Sequence, residues 1–66
     1  MPSTVIRSYK YLAEIEALVI TFISGISYKY LKVSEKEFED FKNAFSKGTH
    51  FNKYIKPNHD FEKLIA

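Results

Sequence analysis

The sequence contains no cysteine, so neither a disulfide framework nor a thiolate metal site can hold it together. It also lacks a long hydrophobic run. The most apolar stretch, Ala17 to Ile23, is interrupted by Thr21 and falls far short of the roughly 20 residues a bilayer span requires. Met1 to Thr4 do not lead into the basic and then apolar pattern of a secretory leader. No membrane association is expected, and the default location is the cytoplasm. None of the serines stands in a nucleophile-elbow setting, and His50 and His59 have no third ligand in view. With no nucleophile, base and orienting group converging, the sequence predicts no enzyme, cofactor, metal or small-molecule substrate.

Charge of one sign is scarce as well. Ten basic residues against eight acidic ones leave a net charge of +2, unlike a dedicated nucleic-acid binder. The distribution is more informative than the sum. From Lys42 to His59 there is no acid, while Lys42, Lys47, Lys53 and Lys56 are present. Just before this stretch, Glu35, Glu37, Glu39 and Asp40 form an acidic cluster.

What the chain does have is aromatic bulk. Sixty-six residues predict a single domain over 1–66 with a small core, and six Phe and five Tyr can fill it with few side chains. Thr4 to Leu12 reads as a first strand, and Ala13 to Glu16 as a connection or a helical turn. Leu18 to Phe22 and Ile26 to Leu31 read as two further strands around Ser24-Gly25. A two-residue loop would place Ser27 and Lys29 among the apolar residues. A three-residue loop with Gly25 in the left-handed conformation instead pairs Phe22 with Ile26. Leu18, Ile20, Phe22, Ile26, Tyr28 and Tyr30 then share one face. Val19, Thr21, Ile23, Ser27, Lys29 and Leu31 share the other, which is apolar enough to be a candidate surface for self-association.

Ser34 and Glu37 form an S-x-x-E capping box, and Phe38, Phe41, Ala44 and Phe45 make an apolar helical stripe after it. Gly48 is expected as the left-handed cap of that helix, with Thr49 opening a short second helix that carries Phe51, Tyr54 and Ile55 and stops at Pro57. Phe61, Leu64 and Ile65 have the spacing of a final helical turn. The predicted class is therefore α+β: a three-stranded antiparallel β-meander, a capped α-helix and a short second helix packed on one sheet face.

The order Tyr28-Lys29-Tyr30, capped helix, and then Ser46, Gly48, Phe51, Asn52 and Ile55 in the pattern S-x-G-x-x-F-N-x-x-I resembles the KTSC domain. That family is named for its occurrence at the C-terminus of some lysyl-tRNA synthetases. It also occurs as a stand-alone bacterial protein of about this size, and its hallmark is a central YxY. The resemblance runs from about Ile6 to Phe61. Tyr11 to Ala17 depart from it, carrying Leu12 and Ile15 where a turn of small and acidic residues is expected. The synthetase context implies a link to RNA and no defined activity.

Two places are candidate sites. Tyr28 and Tyr30 can be core rings with hydroxyls at the rim, or a platform for unpaired bases. Lys47, Thr49, His50, Asn52, Lys53 and Lys56 can be a capped, solvated basic helix, or a phosphate-binding patch at a helix start. Gly25, Ser46, Gly48, Phe51 and Ile55 are read as structural. The leading expectation is a non-catalytic module that binds RNA or another polyanion through residues 47–56. The rival is a homo-oligomeric or protein-interaction module that uses a sheet face or strand edge.

Overall fold

The computed structural model describes residues 6–64. Thr4 and Val5 of the expected first strand, the Met1 to Thr4 segment and Ile65 of the expected last turn lie outside the described residues. The chain forms an antiparallel sheet of order β1-β2-β3-β4: β1 Ile6–Leu12, β2 Ala17–Phe22, β3 Ser27–Tyr30 and β4 Phe61–Leu64. A 3-10 turn, Ala13–Ile15, joins β1 to β2. Between β3 and β4 the chain crosses one face as α1 Glu35–Lys42, α2 Lys47–His50, a π turn Phe51–Ile55 and a 3-10 turn Lys56–Asn58.

The hairpin takes the register that sorts its side chains. Phe22 N–H donates to the Ile26 carbonyl (3.0 Å), Gly25 N–H donates to the Phe22 carbonyl (2.8 Å), and Gly25 has φ +92°. Pairing of Leu18 with Tyr30 and Ile20 with Tyr28 follows, which places the apolar set on one face. Strand β1 carries a bulge, since Ile6 pairs with Phe22 but Ser8 pairs with Thr21. The extra residue, Arg7, is exposed, and Ile6 packs against the core.

The capping box forms as read. Ser34 Oγ accepts the Glu37 N–H (3.2 Å), and Glu37 Oε1 accepts the Ser34 N–H (3.0 Å). From this start α1 lays Phe38 and Phe41 on β1: Phe38 stacks on Tyr11 at 4.5 Å, and Phe41 meets Tyr9 edge-on at 5.1 Å. Phe51 then fits between Phe22 and Tyr30, in edge contact with both. Leu18, Ile20, Val33, Phe41, Phe51 and Ile55 are fully buried, each contributing roughly 1.5–3 kcal/mol of transfer free energy.

Three expectations are corrected. Helix α1 ends at Lys42, where Asn43 caps it by donating its N–H to the Glu39 and Phe41 carbonyls, so Ala44 and Phe45 leave the stripe and Phe45 is fully exposed. Gly48 is therefore not a left-handed cap. It lies inside the first turn of α2, and Ser46, not Thr49, opens that helix: Ser46 Oγ accepts the Thr49 N–H and donates to Thr49 Oγ1. The tail is a fourth strand, not a helical turn. Strand β3 would otherwise leave its outer backbone groups unpaired, and Asp60 to Leu64 supply partners, beginning with Leu31 N–H to the Asp60 carbonyl (2.8 Å).

Candidate functional site

Side chains on β3 alternate, so Tyr28 and Tyr30 project to the helix-covered face while Lys29 projects away. The added strand extends both rows. Phe61 lies opposite Tyr30 and Lys63 opposite Tyr28, whereas Glu62 pairs with Lys29 on the far face (Nζ to Oε1, 3.2 Å). The helical run after α2 covers Tyr30 with Phe51 but stops short of Tyr28 and Phe61. An open cleft of about 390 Å³ remains, walled by Phe22, Ile26, Tyr28, Tyr30 and Phe61, with Lys56 and Ser24 at its margin.

The rings of the cleft form a connected set. Tyr28 and Phe61 stand nearly perpendicular at 5.4 Å, Tyr30 and Phe61 lie at 5.5 Å, and Phe22 meets Tyr28 at 5.7 Å. Tyr30 is 3% exposed, Tyr28 half-buried and Phe61 54% exposed. Among the described residues no fully buried side-chain nitrogen or oxygen lacks a partner, and neither tyrosine hydroxyl bonds to a described residue, so neither is completely sealed from solvent. Burial, and then the neighbouring Tyr28 phenol, push the Tyr30 hydroxyl above its ordinary pKa, keeping it a neutral donor. Tyr28 and Tyr30 are thus both packing residues and cleft walls.

The residues of segment 47–56 do not form one patch. Lys56 reaches the aromatic cleft, and Lys53 is exposed. Thr49 spends its hydroxyl on the Ser46 cap. His50 turns the other way, against Tyr54 (4.8 Å), into a groove shared with Glu37 and Asp40 whose carboxylates repel anions. Lys47 and Asn52 are half-buried. Among the described residues no group of three or more His, Asp or Glu side chains is placed to hold a metal ion, and no helix is long and apolar enough to cross a membrane.

Sequence reasoning missed Phe61, Lys63 and His59. The first two were hidden by the helical reading of the tail, since Phe61-Glu62-Lys63-Leu64 carries no local alternation that marks a strand. His59 has a 7% exposed side chain whose Nδ1 lies 2.9 Å from the Leu31 carbonyl and whose Nε2 lies 2.7 Å from Glu37 Oε2. A carbonyl only accepts, so Nδ1 donates. Burial raises the Glu37 carboxyl, but hydrogen bonds from Ser34 and His59 and the His59 charge outweigh it and hold the group below its ordinary range. Through these two contacts His59 ties the end of β3, helix α1 and the entry to β4 together. Phe61, the outer wall of the cleft, follows two residues later.

A family model for the KTSC domain matches residues 2–61. The chain belongs to the KTSC domain family. It is similar to a lysine--tRNA ligase of Nostoc punctiforme, 46% identical over 61 residues that make up 92% of this chain and 11% of the ligase. It is also similar to a lysine--tRNA ligase of Trichormus variabilis, 39% identical over 59 residues, 89% of this chain and 10% of that protein. The KTSC chain thus spans about a tenth of the length of these relatives. The crystal structure of a KTSC domain protein from Yersinia pestis matches with a TM-score of 0.85 and 33% identity, covering 98% of this chain and 90% of that one.

Proposed function

We propose that this KTSC domain is a non-catalytic, cytoplasmic module that binds RNA through the exposed lysines of its 47–58 helical run, chiefly Lys53 and Lys56. The observation that carries this reading is the lack of neutralisation there. Among the described residues Lys47, Lys53 and Lys56 form no ion pair, whereas Lys29, Lys36 and Lys42 are matched by Glu62, Asp40 and Glu39; Lys10, Lys32 and Lys63 are unpaired too, and what sets the segment apart is that its three lysines fall together with no acid among them. The similarity to lysine--tRNA ligases makes tRNA the natural first ligand. His50 and Thr49 take no part, since one faces carboxylates and the other is held in a cap.

Two or three lysine–phosphate contacts give weak, salt-sensitive binding. Anisotropy titration of labelled tRNA and single-stranded RNA should show affinity falling about 7- to 20-fold between 50 and 200 mM salt. The double variant Lys53→Glu, Lys56→Glu should abolish binding at both. Absence of binding at low salt, or binding indifferent to the double variant, would refute the reading.

A second reading rests on the sheet face away from the helices, which presents Val19, Thr21, Ser27 and Lys29 half-exposed, with Ile23 65% exposed at its end. That face fits a self-association surface. Light scattering distinguishes it: a dimer dispersed by Ile23→Lys supports it, and a monomer at all concentrations removes it.

A further inference from the structure

The cleft on β3 and β4 has the shape and chemistry of a subsite for one unpaired nucleobase. Its inner walls, Phe22 and Tyr30, belong to the core, whereas Tyr28 is part-exposed and Phe61 54% exposed, so the outer rings of the cleft face solvent. The perpendicular pair Tyr28 and Phe61 makes a corner in which a planar group lying flat on one ring meets the other edge-on, the two arrangements aromatic systems favour. The volume of about 390 Å³ lies at the small end of ligand pockets, suited to a single ring system rather than a chain of side chains.

Charge decides between apolar occupants. No acidic residue lines the cleft; Lys56 stands at its margin, and Lys63, opposite Tyr28 on β4, shares its face. An aromatic cleft with one lysine in its lining and a second on the adjoining strand suits a base and its neighbouring phosphates better than an acyl chain or an aliphatic peptide side chain. The hydroxyl of the part-exposed Tyr28, unpartnered among the described residues, provides a hydrogen-bonding group at the base edge. A base inside a duplex is stacked on both faces and cannot enter. We propose, resting on the RNA reading above, that the cleft captures an unpaired base of RNA by stacking on Phe61 and Tyr28, with Lys56 and Lys63 on the adjoining phosphates.

Three probes of one length and label separate base from phosphate: a single-stranded ten-nucleotide adenylate, an abasic strand of equal charge, and a fully paired stem. The wild-type chain should bind the adenylate about 5- to 150-fold more tightly than the abasic strand, the span expected for stacking one base. Phe61→Ala should erase that difference and Phe61→Trp should keep it. Phe61 is half-exposed, and Phe61→Leu retains its apolar contact while removing the π face, so a loss shared by the Ala and Leu variants with unchanged circular dichroism is a loss of stacking. Equal binding of adenylate and abasic strand by the wild type overturns the base subsite. If that equal binding still weakens in the Lys53→Glu, Lys56→Glu variant, the polyanion reading survives alone; no binding of any probe removes both. Tighter binding of the paired stem also overturns the subsite.

Discussion

At the scale of single residues, Glu37 has two duties. One carboxylate oxygen closes the capping box on Ser34, and the other receives His59. The first was legible in the sequence because its partners are three positions apart. The second was not, because Glu37 and His59 are 22 positions apart and nothing local announces their meeting. The pair has a consequence for pH. The folded-state pKa of Glu37 lies below its unfolded value, so the unfolded chain binds more protons in the carboxylate range. Its contribution to stability is therefore complete above the ordinary value of 4.5 and is lost as pH falls through the lower folded value. Urea midpoints measured from pH 7 down to pH 3 should fall more steeply for the wild type than for Glu37→Gln. Parallel curves would mean that the contact contributes nothing to the folded state.

At the scale of elements, the hairpin was the most readable part, because only one loop length keeps Leu18, Ile20 and Phe22 on the face of Tyr28 and Tyr30. Gly25 enforces it. An added Cβ would meet nothing within 4 Å, so the cost of Gly25→Ala comes from the left-handed φ alone. Thermal or chemical unfolding should show a loss of about 1 kcal/mol or more. Gly25→Asn should lose less, since Asn tolerates this region. A neutral Gly25→Ala would contradict the turn. The tail was the least readable element. The three-and-one spacing of Phe61, Leu64 and Ile65 fits a helix, while a four-residue strand offers too little alternation to outvote it, and what decides is the open edge of β3, a tertiary fact. The same applies to α1, whose apolar spacing runs on to Phe45 although Ser46 claims the next helix start and ends it early.

At the scale of the whole molecule, a small core and a working surface are built from the same residue type. Tyr30 and Phe51 seal the interior, while Tyr28 further along β3 and Phe61 on β4 use the same kind of ring to wall an open cleft. Composition revealed the aromatic content and could not divide it between these two uses, because that division depends on how far the 47–58 run extends over the sheet. The basic segment was visible as an acid-free stretch, but a helix turns its residues in several directions, so only part of the patch read from the sequence, Lys53 and Lys56, remains available on the cleft side or in solvent. An isotope-edited NMR titration of the chain with single-stranded RNA tests this division most directly. Amide and aromatic signals of Tyr28, Tyr30, Lys53, Lys56, Phe61 and Lys63 should shift together while those of Val19, Thr21 and Lys29 stay in place; shifts confined to the Val19 face, or none at saturating RNA, would overturn RNA binding at the cleft.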